Sequence, residues 1–184
     1  MNTRMIFAGF GGQGVMLMGQ IISLAGMLEG KHVTWMPSYG PEMRGGTANC
    51  TVVISDEPVA SPVTNDAEVV VAMNIPSLAK FEPAVTPKGY LLINQSVVDR
   101  EPKRGDIASI KVPCNEIADQ LGNLKVANMV MLGAVAGATG VVSMDSIVKA
   151  LEKKLSAGGK TSLIEVNKNA IERGYQMAKE AVSA

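Results

Sequence analysis

The chain has 184 residues, 47% hydrophobic and 18% charged, and its 17 basic and 17 acidic side chains give a formal net charge of +0. That length predicts one domain over residues 1–184, with enough apolar content for a full core. The charge balance argues against nucleic acid as a partner, because a phosphate backbone needs a basic surface and Lys and Arg form no cluster here.

Cys50 and Cys114 are too few to hold an iron–sulfur cluster by four thiolates. No export signal fits, since Met1-Asn2-Thr3-Arg4-Met5 runs straight into a strand. A disulfide is therefore not expected, and both cysteines read as reduced core thiols in a cytoplasmic protein. The longest uncharged run, Val126 to Val142, is interrupted by Asn128, Gly133, Gly137, Thr139 and Gly140. A membrane span needs about 20 predominantly apolar residues, so this run predicts a buried helix and a turn, and no membrane partner. Aromatic residues make up only 4% while methionines number 12, which leaves much of the gap filling to Met.

In chain order, Thr3–Ala8 predicts a strand and Gly9–Gly14 a turn. Val15–Leu28 predicts a helix stopped by Gly30. That helix is apolar almost all round, broken only by Gln20 and Ser23, so both its sides must be covered, by this chain or by another. His32–Met36 and Ala48–Ile54 predict the next strands, joined by a Gly- and Pro-rich loop. Ala67–Met73 reads as a strand buried on both faces, as in parallel sheets. Pro76–Phe81 predicts a short helix with Pro near its start, and Gly89–Asn94 a strand. Ser96–Gly105 reads as an exposed loop, and Ile107–Val112 as a strand. Asn115–Leu121 and Val126–Thr139 predict helices. Ser143 is placed to cap another, and Thr161–Val182 is a long amphipathic helix. Alternating strands and helices followed by helices alone predict an α/β fold: a three-layer sandwich with a mostly parallel sheet and a helical C-terminal third.

Two glycine-rich segments carry the functional signal. Gly9-Phe10-Gly11-Gly12-Gln13-Gly14 fits G-x-G-x-x-G between a strand and a helix, where free N–H groups and the helix dipole face a ligand. Its bland reading is a tight turn that needs glycine. A dinucleotide site would add an acidic residue about 20 residues on, where this chain has Pro37-Ser38-Tyr39. An anion site or a polar partner loop at Gly11, Gly12, Gln13 and Gly14 is favoured over NAD. The second segment is Ser38-Tyr39-Gly40-Pro41-Glu42-Met43-Arg44-Gly45-Gly46. Arg44 offers a donor fork to a phosphate or carboxylate, and Gly45 and Gly46 permit close approach. A ligand contact, a subunit interface, and a loop shaped by an Arg44–Glu42 ion pair all fit these residues. Loops at strand ends are where α/β sheets meet ligands and partners.

His32, the sole histidine, has no nucleophile motif near it, and no Cys, His, Asp or Glu group has metal-ligand spacing. Asn94-Gln95-Ser96 closes a strand, as a capping turn or as lining of the same crevice. Asn128 is expected to bond backbone rather than substrate. Gly133-x-x-x-Gly137 is expected to let another helix approach.

The two glycine-rich loops, with Ile54-Ser55-Asp56-Glu57-Pro58-Val59-Ala60-Ser61-Pro62 after the third strand, resemble the gamma subunit of 2-oxoacid:ferredoxin oxidoreductases. The resemblance extends through Ala67–Asn74, Gly89–Ser96 and Asn128–Gly133 and covers nearly the whole chain. It implies a subunit of an enzyme that oxidatively decarboxylates a 2-oxoacid with coenzyme A and passes electrons to ferredoxin. It implies alpha and beta partners holding thiamine diphosphate, iron–sulfur clusters in a beta or ferredoxin-like delta part, and no catalytic residue in this chain. It also implies that Gly11, Gly12, Gln13, Gly14, Ser38, Tyr39, Gly40, Glu42, Arg44, Gly45 and Gly46 lie near the thiamine site and have a role towards coenzyme A. The single-domain length resembles the subunit type of 2-oxoglutarate or branched-chain enzymes, and indolepyruvate oxidoreductase carries a related domain, so the 2-oxoacid is left open. The apolar first helix leaves open a homodimer of the isolated chain. A reading of another class is a free-standing nucleotide-binding module that uses the first turn as a phosphate cradle.

Overall fold

A computed structural model describes residues 1–39 and 47–183. The strands are β1 (Asn2–Phe10), β2 (His32–Tyr39), β3 (Thr47–Ser55), β4 (Ala67–Ala72), β5 (Val85–Asn94) and β6 (Ala108–Val112). The helices are α1 (Val15–Leu28), α2 (Ile75–Phe81), α3 (Cys114–Gln120), α4 (Ala127–Thr139), α5 (Met144–Ala157) and α6 (Ile164–Ser183). The sheet runs β2-β3-β1-β4-β5-β6. β1, β4, β5 and β6 pair in parallel, and β3 is antiparallel to both its neighbours.

Each central strand splits its side chains between two cores, as the two-residue period of a strand requires. Met5 and Phe7 of β1, Val69 and Val71 of β4, and Leu92 of β5 face α1, α4, α5 and α6. Ile6 and Ala8, Val70 and Ala72, and Leu91 and Ile93 face the other way, into a smaller core shared with Leu78 of α2. The result is the expected three-layer α/β sandwich with a mostly parallel sheet, its helical layers unequal. α1 is covered on both sides by this chain, by the sheet and by α5. Gly19 in α1 is a packing requirement: a Cβ there would stand 2.5 Å from Cys50 Sγ.

Several boundaries differ from the sequence reading. Ser38 and Tyr39 belong to β2 rather than to the loop, because they pair with Asn49 and Ala48. Pro37 is tolerated there because β2 is the sheet edge, where a missing N–H costs no ladder bond. β5 begins at Val85, not Gly89; Lys88 has φ 64°, and the register against β4 shifts between Ala67 and Val69. The local turn signal of Pro87 and Gly89 therefore marks a kink inside a strand, not its start. The Ser96–Gly105 segment is not wholly exposed. Val98 is buried in the smaller core, and the buried Glu82 carboxylate accepts from the backbone N–H groups of Lys103 and Arg104.

Other expectations hold. Ser143 caps α5, its hydroxyl accepting from Ser146 N–H at 3.2 Å. Cys50 and Cys114 are buried free thiols. Gly133 and Gly137 face α6 at backbone contact.

Candidate functional site

Neighbouring parallel strands β1 and β4 send their chains in opposite directions. β1 continues through α1 to the far edge strand β2, and β4 through α2 to β5 on the other side. α1 and α2 lie in opposite cores. This is a topological switch point, where a crevice opens beyond the carboxyl ends of the strands. A cleft of about 160 Å³ occupies that place. Its polar lining comes from Gly12 and Gln13 after β1, Asn94 at the end of β5, Asn115 at the start of α3, Lys125, and Asn128 at the start of α4.

The glycine turn is built for its position. Gly12 and Gly14 have φ of 94° and 74°, a region open to glycine and strained for other residues. Gly14 is the N-cap of α1 and supplies no side-chain cap. A Cβ on Gly14 would also stand 2.2 Å from Asn128 Nδ2. Asn128 Nδ2 instead donates to the Gly14 carbonyl at 3.3 Å, the backbone bond expected for this residue.

Gln13 ties the turn to the next strand. Its Oε1 accepts from Phe10 N–H at 2.7 Å and from Asn74 Nδ2 at 3.2 Å, and its Nε2 donates to the Met73 carbonyl at 2.9 Å. Asn74 Oδ1 accepts from Ser77 N–H at 2.8 Å and so caps α2. One glutamine side chain thus couples the ends of β1 and β4 to the start of α2. On the other wall, Asn94 Nδ2 donates to Asn115 Oδ1 at 3.1 Å, and Asn115 N–H donates to the Ser96 hydroxyl at 2.9 Å. Ser96 in turn donates to the Glu116 carboxylate.

The flanks of the second loop stand at this same end of the sheet. Tyr39 pairs with Ala48, Ala48 with Gly9, and Thr47 with Phe10, so the loop joins strands in register with the start of the glycine turn. Ser38 is exposed, two strands from the cleft. Gly40, Glu42, Arg44, Gly45 and Gly46 lie outside the described residues. Gly12 and Gln13 are brought together with Asn94, Asn115, Lys125 and Asn128, Gly14 meets Asn128 alone, and Gly11 is exposed beside the turn.

Lys125, Asn115 and Asn74 were missed as site residues. Their signal is position: each stands where a strand or turn hands over to a helix on the carboxyl side of the sheet. The cysteines take no part. Burial pushes the Cys50 thiol up to about 12 and raises that of Cys114 as well, which keeps both protonated.

The family described as Pyruvate ferredoxin/flavodoxin oxidoreductase matches residues 4–177. The chain is 39% identical over 181 residues to the ketoisovalerate oxidoreductase subunit VorA of Methanothermobacter thermautotrophicus, an alignment that takes in 98% of this chain and 37% of that protein. The chain therefore spans little more than a third of that relative. It is 35% identical over 184 residues to the 2-oxoglutarate synthase subunit KorC of Methanocaldococcus jannaschii, covering 98% of this chain and 96% of that one. Its fold matches the solved keto/oxoacid ferredoxin oxidoreductase gamma subunit of Geobacter sulfurreducens PCA, with a TM-score of 0.87, 30% identity and 98% of each chain covered.

Proposed function

The chain belongs to the pyruvate ferredoxin/flavodoxin oxidoreductase family, and from that membership we propose that it works as the gamma component of a thiamine-diphosphate-dependent 2-oxoacid:ferredoxin oxidoreductase. The complex would oxidatively decarboxylate a 2-oxoacid onto coenzyme A, releasing carbon dioxide and passing the electrons to ferredoxin. Thiamine diphosphate and the iron–sulfur clusters belong to the alpha, beta and delta parts of the complex. This chain supplies a wall.

One observation carries the reading. The register Tyr39–Ala48–Gly9 sets the two ends flanking the second segment beside the start of the glycine turn, which supports a single partner surface meeting both. The side chains near that end fit a positioning role. Gln13, Asn94, Asn115 and Asn128 are neutral amides, which orient a neighbour by hydrogen bonds but exchange no proton at neutral pH. Gly11, Gly12, Gln13, Gly14, Ser38, Tyr39, Gly40, Glu42, Arg44, Gly45 and Gly46 form the proposed wall, with Arg44 as the donor fork towards a carboxylate or phosphate of the reacting molecules.

The test is coexpression with alpha, beta and delta chains, followed by 2-oxoacid- and coenzyme A-dependent ferredoxin reduction. Arg44→Ala is expected to lower turnover or coenzyme A affinity about tenfold, roughly the value of one charge-assisted contact, with the assembly intact on gel filtration. Recovery of the tagged chain from its source cells without thiamine- and iron-bearing partners would overturn the reading.

A further inference from the structure

α1 keeps an apolar face that the fold does not use. The sheet and α5 cover two sides of the helix. Met16, Leu17, Gln20, Leu24, Met27 and Leu28 lie on the remaining side, within an arc of about 120° at ~100° per residue. Met27 and Leu28 are 62% and 47% exposed, and the other four are half-buried. Five of the six are large and apolar, and the sixth is a neutral amide. A helix normally turns such a stripe towards a core, yet this one faces outwards.

Two observations say what would cover it. The first is charge. Val15–Leu28 contains no charged residue. The nearest charges are engaged elsewhere: Glu29 accepts from the Ser143 N–H at 2.8 Å, and Lys31 pairs with Asp56. α1 also has no side-chain N-cap, no acid in its first turn and no base in its last. Neither pole of its dipole is therefore answered by a charge within the helix. Two copies of α1 packed antiparallel answer both, because the C-terminal pole of each lies beside the N-terminal pole of the other. No like charges meet in such a contact.

The second observation is spacing. Met16-Leu17 and Met27-Leu28 stand at equal distances from position 22, and Gln20 and Leu24 stand at equal distances inside them. A twofold axis opposite Ile22 sets Met16 and Leu17 of one copy on Leu28 and Met27 of the other, and Gln20 on Leu24. The patch is thus complementary to itself, as a twofold contact requires. A foreign helix gains nothing from that symmetry.

We propose that a second copy of this chain covers this face, α1 packing antiparallel on α1 about a twofold axis. One helix offers less than the ~800 Å² per partner of a standard interface, and the half-buried Val33 and Trp35 of β2 flank it. The dimer is therefore expected to be reversible, with a Kd on the order of 10 µM. The proposal does not rest on the subunit reading.

Sedimentation equilibrium of the full-length chain from about 1 to 200 µM brackets that Kd. Met27→Lys is the sharp variant. A lysine suits the last turn of its own helix, so the variant should melt no lower than the parent. In the dimer it brings a charge into an apolar contact beside the partner's positive pole, and it is expected to weaken association at least tenfold. Adding Met16→Glu sets an acid in the first turn, opposite the new lysine across the antiparallel contact, and should recover most of the loss. Val182→Lys, on the exposed end of α6, should change nothing. A chain that stays monomeric at the highest concentration overturns the proposal. So does a Met27→Lys variant that associates as tightly as the parent, or a double variant no tighter than Met27→Lys. Copurification judges the subunit reading, so the two can fail separately.

Discussion

Gly174 of α6 lies against Val130 of α4 so closely that a Cβ on the glycine would stand 1.8 Å from the Val130 carbonyl oxygen. The contact is reciprocal. A Cβ on Gly133 would stand 1.9 Å from the Ile171 oxygen, and one on Gly137 2.3 Å from that of Tyr175. These obstacles are backbone atoms, so no rotamer change relieves them.

Gly174→Ala and Gly133→Ala are therefore each expected to force α4 and α6 apart, at a cost of about 3 kcal/mol or more, the upper range for overpacking. Urea unfolding followed by circular dichroism measures this. Gly158→Ala is the control. Gly158 has φ −87° and would meet nothing nearer than 3.6 Å, so alanine should be neutral or slightly stabilising there.

Gln13 is a bracket before it is a ligand contact. Gln13→Ala is expected to leave Phe10 N–H and the Met73 carbonyl unpaired at a half-buried site, costing about 2 kcal/mol. Amide hydrogen exchange offers a local readout. Exchange at Phe10 should accelerate in the variant, while exchange at Leu92 in the sheet centre follows only the global loss. Unchanged protection at Phe10 would remove Gln13 from this role.

Cys50 and Cys114 are both fully buried, and burial raises both thiols. An ordinary thiol ionises near 8.5 and reacts with disulfide reagents faster as pH rises through that value. In the native chain both cysteines are expected to stay silent to 5,5′-dithiobis(2-nitrobenzoate) from pH 7 to 9, and to react together once guanidinium unfolds the protein. One fast-reacting native thiol would show an opening that the packing does not contain.

The local signals were legible wherever one element decided its own fate. Val15–Leu28 is written by an apolar run broken only by Gln20 and Ser23, between Gly14 and Gly30, and the helix has those bounds. The apolar runs Met5–Ala8 of β1 and Val69–Ala72 of β4 follow from burial on both faces. The glycine turn was legible because positive φ admits few residues besides glycine. Asn128 was legible as a backbone-bonded residue because a buried amide must find a partner.

The rest depends on what each element meets. Ser38 and Tyr39 look like loop beside Gly40 and Pro41, yet the ladder to Asn49 and Ala48 makes them strand. Pro87 and Gly89 look like a boundary, yet β5 pairs with β4 on both sides of them, at Val85 and again from Tyr90. Asn74, Asn94, Asn115 and Lys125 are far apart in the chain and of ordinary type. Only the parallel order β1-β4-β5-β6, which stacks the carboxyl ends of four strands at one edge, turns Asn94, Asn115 and Lys125 into a single lining and sets Asn74 behind it against Gln13. Sequence by itself determined the elements, the glycines and the family, because these rest on short-range sterics and burial periodicity. Tertiary structure alone decided the cleft and which amides face it, because hydrogen bonds between residues some 60 to 114 positions apart (Gln13 to Met73, Asn128 to Gly14) exist only once the sheet has put their strands side by side.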